Sequence, residues 1–154
     1  MGIRNDGQLN YGIPFDEGME FPWDEEKFEG DIEVWWVVIN GGPIEPDNIT
    51  TPDGRDWLPG GQEQHDVYLE EKRNFLNDNP LPIKLVTYCS YEYPMYLIGS
   101  PHLSFNAARG EAVKVNRSQV VVEDNYKNII IDFCDKYGID MPCEPGWYLT
   151  SLYG

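Results

Sequence analysis

The chain has 154 residues, of which 41% are hydrophobic and 14% aromatic, so it is long enough and apolar enough to bury one core and is not a disordered chain. Its 27 Asp and Glu residues outnumber 11 Lys and Arg, and the resulting net charge of −16 argues against direct binding to nucleic acid phosphates. No run approaches the roughly 20 apolar residues of a membrane-spanning helix, so we predict no membrane partner.

The charge is unevenly distributed along the chain. Residues 1–31 and residues 32–80 each carry a net −7, whereas residues 81–154 carry only −2. Arg109, Lys114 and Arg117 form the one stretch where basic residues outnumber acidic ones. Such an asymmetric field influences association and partner choice, and we predict that these three bases contact an acidic surface.

Residues 1–30 are predicted to form an extended acidic and aromatic N-terminal arm, followed by a single α/β domain over residues 31–154. Glycine, proline and asparagine recur in the arm, so neither a helical nor a strand period is sustained. Phe21 and Trp23 precede the acids Asp24, Glu25 and Glu26. Aromatic side chains can anchor an interface while carboxylates steer a basic partner towards it, so these five residues are predicted interaction residues.

Residues 32–40 (IEVWWVVIN) are apolar at alternate positions on both faces, which predicts a central β-strand covered on both sides. Trp35 and Trp36 would then point to opposite faces of the sheet. One of them would need cover from the arm, from the long loop over residues 41–61, or from another subunit. Both tryptophans are therefore predicted interaction residues.

The remaining elements follow from periodicity and turn chemistry. Two helices are predicted, over residues 62–78 and residues 124–137. Strands are predicted at residues 83–90, 94–100 and 147–153, with shorter candidates at residues 112–115 and 119–122. The order strand, helix, two strands, helix, strand predicts an α+β fold, a ferredoxin-like βαββαβ two-layer sandwich with extra short strands and the extended N-terminal arm.

No catalytic or metal signature emerges, and we predict no cofactor. His65 lies near Glu63 and Asp66, but their spacing does not place them on one helical face. His102 between Ser100 and Ser104 lacks a recognisable orienting group for a Ser–His pair. The acidic loop containing Asp47, Asp53 and Asp56 lacks the spacing of a calcium-binding loop. No glycine-rich motif predicts a nucleotide site.

The three cysteines, Cys89, Cys134 and Cys143, cannot all pair within one chain, and the N-terminus lacks the apolar core of a signal peptide. These features predict a reducing, cytoplasmic compartment and a protein that is not secreted.

The pattern favours a non-enzymatic acidic module for protein–protein interaction and assembly, such as a homo-oligomer or an accessory subunit of a viral particle. The first alternative is an acidic inhibitor that mimics nucleic acid and blocks a DNA- or RNA-handling enzyme. The second alternative is a small enzyme whose catalytic residues form no recognisable signature. In the first two cases the partner is a protein or a second copy of the chain.

Overall fold

The chain forms a four-stranded mixed sheet from its N-terminal segment and its C-terminal half. The computed structural model describes residues 5–153; residues 1–4 of the predicted arm and residue 154 lie outside the described residues. The strands are β1 (Asn5–Pro14), β2 (Lys84–Ser90), β3 (Pro94–Ala107) and β4 (Gly146–Tyr153). They are ordered β1-β3-β2-β4 around a closed barrel. With three α-helices among the described residues, the predicted α+β class is confirmed.

The ladder between β1 and β3 changes register in the middle. Asn10 lies opposite Ser104, but Gly12 lies opposite Gly99, so residues 100–103 bulge out beside Tyr11. A Cβ at Gly12 would meet the carbonyl oxygen of Ile98 and the Cα of Gly99, so only glycine allows this close backbone approach.

The barrel is closed by a short pairing between the ends of β2 and β4. β2 pairs antiparallel with β3, and β4 pairs antiparallel with β1 along its whole length. β2 and β4 meet only at their last residues, where Cys89 lies opposite Leu152 and Ser90 lies opposite Tyr153.

The third helix, α3 (Asp124–Lys136), supplies part of the core beside the sheet. Its buried side chains are Ile130, Phe133 and Cys134, which recur at helical spacing. Across β1 and β4, the rings of Tyr11 and Trp147 pack edge-to-face with centroids 5.7 Å apart. Burial of the Ile130, Phe133 and Cys134 side chains stabilises α3.

The helices α1 (Ile32–Ile39) and α2 (Gly61–Asp78) belong to a second group of residues. Trp23 is only 1% exposed and packs on Trp35, with ring centroids 5.3 Å apart. The Trp36 indole Nε1 donates a hydrogen bond of 2.8 Å to the carbonyl oxygen of Asn79, which follows α2. This bond ties α1 to the end of α2, and the Trp23 ring packs against α1.

The predicted central strand at residues 32–40 is wrong, because this segment forms α1. The Asp31 carboxylate accepts hydrogen bonds from the backbone N–H groups of Glu33 (2.9 Å) and Val34 (3.1 Å), which caps the helix. Eight apolar-rich residues are too few to distinguish a buried helix from a buried strand by periodicity. The cap and the packing of Trp35 outweigh the strand preference of the valines and isoleucines.

The other predicted elements agree with the structure in part. The predicted helices at residues 62–78 and 124–137 and the strands at residues 83–90, 94–100 and 147–153 are confirmed, although β3 runs on to Ala107. The short strands predicted at residues 112–115 and 119–122 are wrong, because these residues are irregular except for a 3₁₀ turn at Arg117–Gln119. That turn is closed by a capping box between Asn116 and Gln119, which satisfies backbone groups without a strand partner.

The chain divides into two compact units. Unit 1 contains the chain up to Pro22 and from Pro82 onward, and unit 2 is Trp23–Leu81. These boundaries differ from the predicted division at residue 30, which stays a prediction. Unit 2 contains fifteen Asp and Glu but four Lys and Arg, a net −11, whereas the rest of the chain carries −5.

Candidate functional site

Two neighbouring grooves lie along α2 in unit 2, with volumes of about 480 Å³ and about 360 Å³. Both are bounded by Ile44 and Pro46 from the loop that precedes α2. Helical spacing decides which α2 side chains face which groove. The first groove contains His65, Tyr68, Leu69 and Lys72, and the second contains Gln64, Val67, Tyr68 and Glu71. We call the two together the α2 groove surface.

The α2 groove surface contains exposed apolar side chains. Ile44 is 73% exposed, Val67 is 55% exposed and Leu69 is 45% exposed. Tyr68, which lines both grooves, is buried. Ile44 lines both grooves, Val67 lines the second and Leu69 lines the first, so each groove has exposed apolar side chains beside concave surface, which is typical of an interaction site.

Carboxylates also line the two grooves. The residues lining the two grooves include six acids, which are Glu29, Asp31, Glu45, Asp47, Glu63 and Glu71. They include two lysines, Lys27 and Lys72. The Lys27 Nζ already lies 3.1 Å from Glu25 Oε2 and 4.9 Å from the centre of the Phe28 ring. The residues that line the α2 groove surface therefore carry a net negative charge.

His65 lies against the loop rather than in a metal cluster. Its Nδ1 atom is 3.4 Å from Glu45 Oε1 but outside hydrogen-bonding geometry. Its ring lies between those of Trp57, 5.1 Å away, and Tyr68, 6.2 Å away. Among residues 5–153, no three His, Cys, Asp or Glu side chains are grouped closely enough to hold a metal ion.

The Tyr68 phenol stays neutral. Burial raises the pKa of Tyr68 above its ordinary value, and the negative charges of Glu45 and Asp31 raise it further. At physiological pH this side chain therefore contributes an uncharged, mainly apolar surface to the grooves.

Three of the aromatic residues predicted to mediate interaction are buried within the chain. Phe21 packs edge-to-face on Phe15 and Tyr96, with ring centroids 5.1 Å and 6.0 Å away. Trp23 and Trp35 pack on each other, and Trp36, which is half-buried, contacts Trp35 at 6.3 Å. These rings stabilise the fold and offer little surface to a partner.

The predicted charged interaction residues are all exposed. Asp24 ends one short 3₁₀ turn before α1, Glu26 begins the next, and Glu25 lies between them. Arg109 and Lys114 lie in the irregular segment after β3, and Arg117 begins the 3₁₀ turn that follows it. None of these six residues lines the α2 groove surface.

The other polar residues considered from sequence form no catalytic arrangement in the part of the chain that the structure describes. The Ser100 hydroxyl accepts a 3.3 Å hydrogen bond from the backbone N–H of His102, whose ring instead lies 6.1 Å from that of Tyr126. All three cysteines are free thiols, with Cys134 buried and Cys89 and Cys143 exposed.

Comparison with known proteins identifies no relative. The chain matches no protein-family model, and no curated protein or solved structure is detectably similar to it. Within residues 5–153, no helix combines the length and the apolar character needed to cross a membrane.

Sequence reasoning does not reveal the α2 groove surface. The sequence presents residues 41–61 as a long acidic loop and residues 62–78 as a helix, but it does not show that the two border common grooves. A usable signal is present, because Val67 and Leu69 flank Tyr68 and cannot share its buried direction on a helix.

Proposed function

We propose that this chain is a non-enzymatic, acidic protein–protein interaction module whose α2 groove surface binds a cationic segment of a partner protein. The observation that supports this proposal is that exposed Ile44, Val67 and Leu69 line the same two grooves as six carboxylates. The partner segment would present an aliphatic or aromatic side chain flanked by Lys or Arg.

The two parts of the surface have different physical roles. Apolar side chains that leave water on binding supply most of the affinity, at about 25 cal/mol per Å² of apolar area buried. The carboxylates accelerate encounter with a positively charged partner and disfavour an acidic one. Unit 2 carries a net charge of −11, so its field also attracts positively charged partners at distances beyond the grooves.

The same charge supports one specific alternative within this function. If the basic partner is a DNA- or RNA-handling protein, the chain acts as an inhibitor that mimics nucleic acid. A free duplex would then compete with the chain for that partner. The assembly role, including a homo-oligomer or an accessory viral subunit, stays a prediction, as does the small-enzyme alternative.

The test is an NMR titration of the isotope-labelled chain with three synthetic peptides. Chemical-shift changes of the backbone amides report where each peptide binds. The first alternates Lys with Leu blocks, the second replaces every Lys by Glu, and the third replaces every Leu by Ser. We expect the Lys/Leu peptide to shift amides of residues 44–47 and 63–72. The Glu/Leu peptide should give no shifts, and the Lys/Ser peptide should give only weak shifts that disappear in salt.

Matched variants separate groove binding from general attraction. Val67→Ser should weaken binding of the Lys/Leu peptide about tenfold, because it removes an exposed apolar contact without disturbing the core. Val121→Ser, at a side chain that is also exposed but lies in unit 1, should leave binding unchanged. Equal effects of the two substitutions, or shifts spread over the whole acidic surface, would count against the proposal.

We keep the ferredoxin-like relation as a proposal about fold. It is supported by the adjacency β4-β1-β3-β2, by the two helices between β1 and β2, and by α3 between β3 and β4. The first strand of this arrangement would be β1 rather than residues 32–40.

A further inference from the structure

The His65 ring, which lines the first groove, has a buried nitrogen that is not hydrogen-bonded. Its Nδ1 atom has no hydrogen-bond partner among the described residues, although the side chain as a whole is 26% exposed. Buried polar atoms in folded proteins nearly always have such a partner. The Glu45 carboxylate faces this nitrogen, with Oε1 3.4 Å from Nδ1. A positively charged ring would turn this contact into a charge-assisted hydrogen bond.

The surroundings of His65 suit the protonated ring. With a proton on both ring nitrogens, Nδ1–H is a donor and Glu45 Oε1 is its acceptor. Charge-assisted hydrogen bonds of this kind are about 2.7–2.9 Å long, so the loop and α2 need to approach by only about half an ångström. The Trp57 ring, whose centre is 5.1 Å from that of His65, also favours a neighbouring cation.

The other titratable groups around His65 come from three segments. The charged ones that line the same groove are Lys27, Glu29 and Asp31 around the start of α1, Asp47 from the loop, and Lys72 from α2. The Asp31 carboxylate already accepts two backbone hydrogen bonds, and Asp66, beside His65 in α2, is exposed and lines neither groove. Tyr68 stays uncharged because burial raises its pKa. Glu45 is therefore the carboxylate placed to respond to a charge on His65.

We propose, building on the function proposed above, that His65 is a pH switch whose protonation draws Glu45 onto α2 and weakens binding of a cationic segment to the α2 groove surface. The four carboxylates and two lysines of the first groove sum to −2, and a protonated His65 halves this charge to −1. The charged ring also repels Lys or Arg of the partner and occupies Glu45. The partner is then held near neutral pH and released in mildly acidic solution.

The composition of the chain isolates this switch. Histidine is the side chain that ordinarily changes charge between pH 7.5 and pH 5.5, whereas ordinary carboxylates and lysines keep their charge. The chain has only two histidines, and the other, His102, is exposed and belongs to unit 1. His102→Gln is therefore a matched control for His65→Gln.

The first measurement uses the free chain. The isotope-labelled protein is titrated from pH 7.5 to pH 5.5 and its backbone amides are followed by NMR. We expect the amides of residues 44–47 to shift together with the His65 ring protons in the wild type and in His102→Gln. In His65→Gln these amides should stay in place, and in Glu45→Gln their shifts should be at least halved. Amides that do not move in the wild type, or that move equally in all the variants, would overturn the proposal.

The second measurement is calorimetry with the Lys/Leu peptide, whose charge is constant over this pH range. The wild type and His102→Gln should bind it about fivefold more weakly at pH 5.5 than at pH 7.5, because the partner meets one additional positive charge. His65→Gln should bind it equally at both pH values. Circular dichroism checks that this variant folds, and Glu45→Gln, at an exposed side chain, should also lose most of the pH response.

The outcomes separate the switch from the proposed function. Equal affinity of the wild type at the two pH values would overturn the switch and leave the proposed function intact. A pH response that survives in His65→Gln, or that disappears in His102→Gln, would also overturn the switch. Absence of binding at both pH values would refute the proposed function itself, and the switch with it.

Discussion

The two compact units differ in how much of their apolar surface they bury. Unit 2 has 59 residues and unit 1 has 95, yet each exposes six large hydrophobic side chains. Of the eight largest fully buried side chains, six belong to unit 1 and only Trp23 and Val37 belong to unit 2. Unit 2 therefore has the smaller core, the denser exposed apolar surface and the greater negative charge.

This difference indicates a division of roles. A four-stranded sheet with one packed helix stabilises unit 1 through backbone ladders and burial. Unit 2 relies on a few tryptophans and a helix cap, and leaves apolar residues of α2 at the surface. Residues that bury little are free to contact a partner, which is why we place the binding function in unit 2.

The largest expected effect is the loss of the unit 2 core. Trp23→Ala should lower the free energy of unfolding by about 4 kcal/mol, because it removes a fully buried ring and leaves a cavity beside Trp35. Urea denaturation measures the loss, and hydrogen exchange locates it, with faster exchange expected first in residues 23–81. Trp57→Ala, at a ring that is 44% exposed, is the control and should cost far less. Equal losses would mean that Trp23 is not the centre of the unit 2 core.

Unit 1 should be most sensitive at the close approach of its strands. Gly12→Ala should destabilise the protein by about 3 kcal/mol, because the added Cβ meets the backbone of Ile98 and Gly99. Gly7→Ala is a matched control in the same strand, since its Cβ would lie 3.9 Å from the nearest atom, the carbonyl oxygen of Ala107. Thermal unfolding of the two variants compares them directly. A Gly12→Ala protein as stable as Gly7→Ala would refute the pairing of Gly12 with Gly99 between β1 and β3.

Sequence predicts the regular elements of unit 1 better than those of unit 2. The helical period of α3 and the turn between β2 and β3 are local sequence patterns, and the folded structure keeps both. β1 is not predicted, because its glycines and asparagines resemble a loop and only pairing with β3 and β4 makes it a strand. The strand prediction at residues 32–40 fails because it overlooks Asp31, a local cap signal directly before the helix, and because the contact of Trp35 with Trp23 is not visible in a local pattern. The candidate site is not predictable as a whole, since its walls come from residues 27–38, from the following loop and from α2, which meet only in the fold.

A smaller effect is expected from the N-terminal cap of α1. Asp31→Ala should cost about 1 kcal/mol of unfolding free energy, because the N–H groups of Glu33 and Val34 lose their acceptor. Asp31→Asn keeps a side-chain oxygen and should restore most of that loss. Urea denaturation of both variants checks this. If the alanine and asparagine variants were equally unstable, the negative charge rather than the hydrogen bonds would be what matters.

The smallest effect at neutral pH concerns the buried thiol of unit 1. Burial, and to a lesser extent the charge of Asp135, raises the pKa of Cys134 from 9.0 to about 11. The unfolded chain ionises first, so the stability from the neutral buried thiol is present below pH 9 and is lost as pH rises towards 11. Urea midpoints between pH 8 and pH 11 should fall less steeply in Cys134→Ala than in the wild type. The Val121→Ala variant, at an exposed side chain of unit 1 that does not titrate, should keep the wild-type slope; identical slopes in all three proteins would contradict the effect.

The contrast between the units is tested most directly by reversing charge on the α2 groove surface. We would measure the affinity of Glu45→Lys/Glu71→Lys for the Lys/Leu and Glu/Leu peptides by calorimetry. The comparison is Glu17→Lys/Glu92→Lys, which makes the same change in net charge at exposed residues of unit 1. We predict that only the Glu45→Lys/Glu71→Lys variant loses affinity for the Lys/Leu peptide and gains affinity for the Glu/Leu peptide. Equal behaviour of the two variants would show that net charge, and not this surface, selects the partner.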